Sequence, residues 1–162
     1  MKIITWNVNG IRSRIFNEKI SSKLKKDETI SPEDNSPFKK LLDEHTPDIF
    51  CIQETRCSVI NAQKITVPGY KSFFNESKMK DARAPDRYSG TAVFYKDNMN
   101  VLDVSTELPG YDDTEGRVII ISFETFKCIT VYAPNSGTNY NNKISFMDSM
   151  IDYLNNVTEP VV

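Results

Sequence analysis

One carboxylate of the sequence, that of Glu54, directly follows a short apolar run and could bind a metal ion. The run from Ile49 to Ile52 is preceded by Pro47 and followed by Gln53 and Glu54. A carboxylate is a hard oxygen ligand of the kind that Mg²⁺ or Mn²⁺ takes. A strand-end glutamate that is merely solvated is the alternative, because glutamate is mostly exposed in folded proteins. Glu54 is therefore a candidate ligand of a divalent cation.

Amide side chains end another apolar run, near the start of the chain. Residues 2–8 are rich in strand-favouring types, and the segment from Asn7 to Gly10 interrupts them. A plain turn is one interpretation, because asparagine and glycine tolerate the backbone angles of tight turns. In the functional interpretation, the amides of Asn7 and Asn9 face the same cleft as Glu54. Arg12 then follows within reach of a bound anion such as a phosphate.

A phenol ends a third apolar run. Tyr132 closes the stretch that begins at Lys127, and the loop residues Asn135, Ser136 and Gly137 come soon after it. A tyrosine hydroxyl is both a donor and an acceptor of hydrogen bonds, so it could assist at a reacting group. A tyrosine that is simply packed at a sheet edge is the alternative.

Strands and helices in alternation must position these groups. The run before Glu54 predicts a strand that is buried on both faces. Before it, Ser36 as N-cap and Pro37 at the first position predict a helix, with apolar residues at helical spacing from Phe38 to His45. His45 is expected to pack on this helix rather than to catalyse. A helix that leads into a buried strand indicates the mixed α/β class.

The remaining elements follow from similar patterns. An antiparallel hairpin is predicted for the strands at 118–123 and 127–132. A second amphipathic helix is predicted from Ile144 to Leu154, with Met147 and Met150 as core residues. Residues 17–36 are polar and turn-rich and predict a surface insertion with little to bury. Further strands are expected at residues 70–74, 91–95 and 101–104, and one more begins near Glu159 to Val162.

Composition limits the classes of function. The 162 residues suffice for a single domain, and a net charge of −2 with a pI of about 5.5 argues against a protein that coats nucleic acid through bulk positive charge. No stretch reaches the roughly 18 apolar residues of a membrane span. Three cysteines match no zinc pattern and predict reduced thiols in an intracellular protein, with nucleus and cytoplasm both open.

Five motifs, taken together and in order, resemble the endonuclease/exonuclease/phosphatase superfamily, and most closely its exonuclease III-like apurinic/apyrimidinic endonuclease branch. Each motif alone is weakly specific, but five in order across nearly the whole chain are highly specific. The motifs are the segments Trp6 to Arg12, Pro47 to Thr55, Tyr88 to Gly90, Glu115 to Ile119 and Tyr132 to Gly137.

The resemblance implies a fold and roles for individual residues. The fold is a four-layer α/β sandwich, two packed mixed β-sheets flanked by helices, of which residues 1–162 form the N-terminal part of a single domain. Glu54 and Asn7 resemble the family's metal-binding residues, with Mg²⁺ or Mn²⁺ as cofactor, and Tyr132 the tyrosine that assists catalysis. The residues matching DNA-binding positions are Asn9, Arg12, Arg56, Tyr88, Asn135, Ser136 and Gly137. Arg56 stands where the family commonly has a lysine.

The same resemblance implies that part of the family's site is missing. The family completes its site with a later Gly-Asp-x-Asn segment and an Asp-His pair, and the sequence ends before both. The chain alone is therefore expected to be inactive, and the complementary half of the fold in another chain is a predicted partner. A half sandwich is also expected to expose an apolar sheet face and to aggregate or pair.

The predicted activity is a DNA-repair endonuclease that cleaves the backbone 5′ to abasic sites in double-stranded DNA, with 3′–5′ exonuclease or 3′-phosphodiesterase activity in addition. A retrotransposon-type endonuclease of the same superfamily is one alternative. A non-catalytic fragment that binds DNA or takes part in assembly is another. Phospholipid or inositol-phosphate hydrolysis is disfavoured, because no membrane-facing apolar loop is visible.

Overall fold

The computed structural model describes residues 1–16, 29–78, 88–137 and 140–162. Within these ranges the order of elements alternates strands with helices. The strands are β1 (Ile3–Asn7), β2 (Ile49–Gln53), β3 (Tyr70–Asn75), β4 (Thr91–Lys96), β5 (Val101–Ser105), β6 (Val118–Phe123) and β7 (Lys127–Val131). The helices are α1 (Arg12–Ile15), α2 (Pro37–His45), α3 (Val59–Ala62) and α4 (Tyr140–Asn156).

The first sheet has the strand order β1-β2-β4-β3 and is mixed. β1 and β2 run parallel, in a register that pairs Asn7 with Gln53. β4 is antiparallel to both β2 and β3, and Thr91 at its start also pairs with Gln53. The ends of β1 and β2 and the start of β4 therefore lie at one edge of this sheet.

The second sheet has the order β5-β6-β7 and is antiparallel. The predicted hairpin is confirmed, because β6 pairs with β7 from Val118 opposite Val131 to Ser122 opposite Lys127. On the other side of β7, a parallel bridge joins Lys127 to Val161. The backbone N–H of Ile129 also donates to the carbonyl of Val162 at 2.9 Å. The predicted strand near the end of the sequence thus begins beside β7.

Three apolar clusters build the layers. Side chains alternate across β2, so Phe50 and Ile52 face α2 whereas Ile49 and Cys51 face the second sheet. On β6, Ile119 and Ile121 point between the sheets, and the alternate residues point toward α4. The result is helices, sheet, sheet and helix, which confirms the predicted layered α/β class with two packed sheets.

α2 forms where the local sequence favours a helix. The Ser36 side chain accepts a hydrogen bond from the backbone N–H of Lys39 at 3.2 Å, and Pro37 occupies the first helical position. Phe38 and Leu42 are buried against the first sheet. The helix ends at Thr46, whose φ of 41° is left-handed and whose N–H bonds back to Leu42. The predicted cap and the burial of Phe38 and Leu42 are confirmed, whereas His45, which was expected to pack, has a side chain that is 45% exposed.

The polar segment 17–36 is better anchored at its end than the sequence suggests. Residues 17–28 lie outside the described part of the chain. Ile30, however, is buried and forms a parallel bridge with Ile65. Ser36 is fully buried as well. The prediction of little to bury is therefore wrong for residues 30–36, since one apolar residue and one capping residue hold this part to the core.

α4 is present as predicted, but it buries a different face. Phe146 and Met150 pack on the second sheet, whereas Met147 is 40% exposed. The assignment of Met147 to the core is therefore wrong. Exposed apolar side chains recur along the outward face of this helix, which we call the α4 outer stripe: Tyr140, Ile144, Met147, Ile151 and Leu154.

Most of the exposed large apolar side chains that share one element of the described ranges thus lie on a helix, although Leu102 of β5 is also 63% exposed. Clusters of buried side chains cover both faces of β2 and of β6. No helix in the described ranges is long and apolar enough to cross a membrane. Cys51, Cys57 and Cys128 are free thiols, and the sulfurs of Cys51 and Cys128 lie 3.9 Å apart between the sheets.

Candidate active site

The five sequence motifs meet at one edge of the molecule because of strand register. β1 and β2 end there with Asn7 and Gln53, so Glu54 follows directly. β7 of the second sheet ends beside them with Val131, which is paired with the first residue of β6. The segment before β4 and the segment before β6 therefore arrive at this same edge. Loops gathered at the ends of strands in a layered α/β protein are the usual place for a ligand site.

Glu54 is the centre of the site and accepts hydrogen bonds from three side chains. Its Oε1 accepts from Asn7 Nδ2 at 2.9 Å and from the Tyr132 hydroxyl at 2.7 Å. Its Oε2 accepts from a terminal nitrogen of Arg56 at 2.7 Å. The side chain of Glu54 is only 15% exposed. Residues 7, 54 and 132 thus converge, although they are far apart along the chain.

The electrostatics of the site keep Glu54 charged and Tyr132 protonated. Burial alone would raise the pKa of Glu54, but hydrogen bonds from Asn7, Tyr132 and Arg56 outweigh burial and lower it. Burial and the neighbouring Glu54 carboxylate raise the pKa of Tyr132 to about 12. At neutral pH the phenol is therefore a hydrogen-bond donor aimed at an anionic oxygen.

The backbone that carries Glu54 is held in an unusual conformation. Glu54 and Arg56 have positive φ values of 54° and 45°, which L-residues seldom adopt. Backbone hydrogen bonds from both sides fix this segment. Gly10 N–H donates to the Glu54 carbonyl at 2.7 Å, and Arg56 N–H donates to the Ser89 carbonyl at 2.9 Å. A strained turn of this kind persists only when the surrounding structure holds it in place, and such turns are often found at functional sites.

Arg117 and Glu115 support the site from beneath, and sequence reasoning gave them no role. Arg117 is 4% exposed and forms an ion pair with Glu115 through its Nε. Its Nη1 donates to the Tyr132 carbonyl at 2.8 Å. The Tyr88 hydroxyl interacts with both members of this ion pair. The sequence signals were their place in the motif from Glu115 to Ile119 and the pair of opposite charges two residues apart, just before the most apolar strand.

The donor set at Glu54 fits a divalent cation only in part. Glu54 Oε2 accepts one hydrogen bond, so it retains a lone pair for a cation. The Asn7 side-chain oxygen accepts from the Asn9 N–H at 3.1 Å and likewise retains one. Across the described ranges, no group of three or more His, Cys, Asp or Glu side chains could hold a metal ion. Mg²⁺ commonly binds through one or two carboxylates, with water and phosphate oxygens completing its shell.

Several predicted DNA-binding residues surround Glu54. Asn9 is exposed and has a positive φ of 48°. Arg56 is 43% exposed while it pairs with Glu54, and Tyr88 is 45% exposed. These three residues are brought together with Asn7 and Tyr132. Their contacts with DNA stay a prediction.

The other predicted residues lie farther along the same loops. Arg12 begins α1, and its side chain makes no hydrogen bond to any described residue of the site. In the loop after Tyr132, Asn135 Oδ1 accepts from the Gly137 N–H at 3.2 Å. The hydroxyl of Ser136 accepts from Lys143 at 2.9 Å, which ties the loop to the first turn of α4. None of these contacts reaches Glu54.

His45 lies away from the site. It occupies the last turn of α2, next to the start of β2, whereas Glu54 follows the end of β2. Its side chain is 45% exposed and lies 3.9 Å from Glu44. His45 therefore cannot serve as a catalytic histidine for Glu54 and Tyr132.

Fold and geometry define the class of protein: a layered α/β protein whose candidate site sets a charged carboxylate against a protonated phenol at a strand-end edge. Residues 4–157 match the endonuclease/exonuclease/phosphatase family, and the chain belongs to this family. The five motifs and the two packed sheets are thereby explained by common descent with its members.

Individual relatives fall in the predicted branch. The chain is 28% identical over 170 residues to a DNA-(apurinic or apyrimidinic site) endonuclease of Dictyostelium discoideum, covering 100% of this chain and 40% of the relative. It is 34% identical over 137 residues to an exodeoxyribonuclease of Bacillus subtilis, an alignment that covers 84% of this chain and 44% of the relative. An AP endonuclease structure from Archaeoglobus fulgidus aligns with a TM-score of 0.65 at 24% identity, and the alignment covers 97% of this chain and 52% of that one. The chain thus spans less than half the length of these curated relatives.

Proposed function

We propose that the protein is a metal-dependent DNA-repair nuclease that cleaves the backbone 5′ to abasic sites and leaves a 3′-hydroxyl, with 3′-end trimming as a further activity. The observation that carries the proposal is that the Asn7 amide and the Tyr132 hydroxyl both donate hydrogen bonds to the Glu54 carboxylate. Membership of the family and the names of the AP endonuclease and exodeoxyribonuclease relatives support it.

In the proposed mechanism, the side-chain oxygens of Glu54 and Asn7 that keep a free lone pair would hold Mg²⁺ or Mn²⁺. The cation, when bound, supplies positive charge that polarises a phosphate. Asn7 also fixes the orientation of the Glu54 carboxylate through its amide N–H. The Tyr132 hydroxyl, which carries its proton at neutral pH, donates a hydrogen bond to a phosphate oxygen of the substrate.

In the proposed complex, DNA lies along the rim of the site. Arg56 is the exposed cation nearest to Glu54 and would pair with a phosphate when DNA binds. Asn9, Arg12 and the loop 135–137 would contact the backbone on either side, and the exposed ring of Tyr88 would pack against the duplex. Phosphate contacts of this kind fix orientation, so recognition of the abasic site itself would depend on shape.

A further part of the domain is the proposed partner. The α4 outer stripe presents apolar side chains that nothing in the described ranges covers, and Val161 and Val162 begin a strand beside β7. Added strands and helices of the family fold would cover both. A general base for the attacking water is proposed to come from that part, with the protein acting inside the cell.

A nicking assay tests the proposal. A duplex with one abasic site is incubated with Mg²⁺ and the chain, alone and with any co-purifying partner. With the partner present, we expect nicking 5′ to the abasic site that EDTA abolishes, and a loss of orders of magnitude in Glu54→Gln. The chain alone should leave the strand intact. Asp43→Asn is a matched control, because Asp43 is an exposed carboxylate in α2 that pairs only with Lys39. Equal nicking by Glu54→Gln and the wild type would refute the metal assignment.

One observation favours a second candidate, a fragment that binds DNA without cutting it. In the described ranges, Glu54 does not belong to any group of three or more His, Cys, Asp or Glu side chains that could hold a metal ion. Such a fragment would bind abasic duplex weakly, lose affinity steeply with salt, and leave the strand intact with and without Mg²⁺. Equal cleavage of abasic and intact duplex would instead indicate an endonuclease of the retrotransposon type.

A further inference from the structure

Arg117 is a buried charged residue that lies directly beneath Tyr132. Its side chain is almost fully removed from solvent, and its Nε pairs with the partly exposed Glu115 carboxylate. Burying a guanidinium costs desolvation energy that an apolar residue in the same place would not incur. A residue that only filled space would therefore be better replaced by a leucine or a methionine.

Three contacts hold Tyr132 to Arg117. The backbone N–H of Tyr132 donates to the Arg117 carbonyl at 2.8 Å, and Arg117 Nη1 donates to the Tyr132 carbonyl at 2.8 Å. The guanidinium also lies over the Tyr132 ring, 4.8 Å from its centroid, in a cation–π contact. The backbone and the ring are thus both fixed, which leaves the phenol little freedom to turn away from Glu54.

Arg117 is itself held in place from below. Its backbone N–H donates to Asp113 Oδ2 at 2.7 Å, and Asp113 is buried. Before it, Gly116 has a positive φ of 66°, and a Cβ there would lie 2.6 Å from the Asn75 carbonyl oxygen. The chain therefore passes so close to the end of β3 at this point that only a glycine fits directly before Arg117.

We propose that Arg117 is a positioning residue that aims the Tyr132 hydroxyl at Glu54 and, in the nuclease, at the substrate phosphate. The second part of this inference rests on the proposed function; the first part concerns the geometry of the site alone. Removing Arg117 releases the ring, so the hydroxyl spends less time on Glu54. Glu115 acts one step farther away, by holding the guanidinium under the ring.

The test is an NMR measurement on the whole chain labelled with ¹³C at the tyrosine ring carbon that bears the hydroxyl. The chain has seven tyrosines, and Tyr132→Phe identifies the signal of interest by its loss. Glu54→Gln then shows in which direction the ¹³C chemical shift of Tyr132 moves when the acceptor of its hydroxyl hydrogen bond is changed. We expect Arg117→Lys, which keeps the charge but not the planar group, to move the Tyr132 signal in the same direction.

Arg14→Lys is the matched control, because Arg14 also lies over an aromatic ring, that of Trp6, and donates to a backbone carbonyl, that of Val8, without an observed contact to Glu54 or Tyr132. We expect it to leave the Tyr132 signal close to its wild-type position. An unmoved signal in Arg117→Lys would overturn the proposal, and so would an equal movement in Arg14→Lys. The amide spectrum of each variant reports whether it folds. If Arg117→Lys does not fold, Glu115→Gln is used in its place. We then expect a smaller movement of the Tyr132 signal in the same direction, and an unmoved signal would refute the proposal.

A kinetic comparison separates this proposal from the proposed nuclease function. With all parts needed for nicking present, Arg117→Lys should lower kcat in the wild-type background and cause no further loss in the Tyr132→Phe background. A purely structural role would multiply the two losses, which would refute positioning. If the wild type does not nick at all, the proposed function fails, whereas the NMR result still decides the role of Arg117.

Discussion

Glu54 concentrates negative charge at a point where the surroundings favour it. Three hydrogen-bond donors and the positive charge of Arg56 together lower the pKa of this carboxyl, despite its partial burial. A carboxylate with a lowered pKa contributes stability above its unfolded pKa, and this contribution is lost as the pH falls through the folded value. The charge that would hold a cation therefore also stabilises the folded protein at neutral pH.

Tyr132→Phe should test this coupling. It removes a 2.7 Å hydrogen bond to a charged acceptor, and we expect a loss of about 1.5–3 kcal/mol in the free energy of unfolding at pH 7. The difference between the two proteins should shrink as the pH falls through the lowered pKa of Glu54, because the acceptor then becomes neutral. Urea unfolding at a series of pH values between neutral and acidic measures it.

Tyr70→Phe provides the control for that experiment. The Tyr70 hydroxyl donates to the backbone carbonyl of Pro47 at 2.7 Å, an acceptor that does not titrate. The loss in the free energy of unfolding caused by Tyr70→Phe should therefore be nearly independent of pH over the same range. If the cost of Tyr132→Phe were equally constant, the phenol would not be bound to an ionised Glu54.

Which site residues could be predicted depended on where they stand in the sequence. Glu54 and Tyr132 each follow an apolar run, so their strand-end positions were visible without a structure. Arg117 was not assigned, because a charged residue in a sequence is expected at the surface. Its burial depends on Tyr132, fifteen residues away, and on the ion pair with Glu115. Only the packed structure brings these partners together.

Among the elements, β1 and β2 determine the site most directly. Their parallel pairing aligns Asn7 with Gln53, so the next residue, Glu54, leaves the sheet beside the Asn7 amide. A slip of one residue would turn every side chain of one strand to the opposite face. The buried side chains on both faces of β2 make such a slip costly. The register of this strand pair is thus what fixes the Asn7–Glu54 hydrogen bond.

α2 covers β2 on the helix side, and its N-cap should contribute measurably to stability. Ser36→Ala removes the acceptor for the Lys39 N–H, so we expect a loss of about 1 kcal/mol in the free energy of unfolding, measured by urea denaturation. Ser145→Ala, on the exposed side of α4, makes the same chemical change with no cap and should stay within about 0.5 kcal/mol of the wild type. Equal stabilities of Ser36→Ala and Ser145→Ala would contradict the cap.

α4 shows the limit of pattern-based prediction for an element. Two apolar series run along the helix, one through Phe146 and Met150 and the other along the α4 outer stripe. Both have helical spacing, so the sequence predicts a helix but does not tell which series faces the second sheet. The choice is made by Leu108, Val118 and Ile120, which pack against the first series.

At the scale of the whole molecule, the described helices and sheets bury their facing sides, but the α4 outer stripe leaves large apolar side chains in water. Contiguous exposed apolar surface on a protein usually marks a contact site. The chain should therefore associate through this stripe, with copies of itself or with the proposed further part of the domain.

A pair of lysine substitutions tests that surface. Ile151 is 52% exposed, so Ile151→Lys should preserve the fold and reduce association, measured by sedimentation velocity. Met150, its neighbour on the inner face, is 9% exposed, and Met150→Lys should unfold much of the protein because it buries a charge. If both substitutions destabilised the chain equally, the outer stripe would be covered within the chain itself.

The hydrogen bonds around Glu54 draw on segments that begin with the first strand and end after the last hairpin. A partly folded chain, with the first sheet formed and the hairpin still loose, would lack Tyr132 and the arginine beneath it. The surroundings of the Glu54 carboxylate are therefore complete only when both sheets have docked, so this one group reports on the assembled fold rather than on either sheet alone.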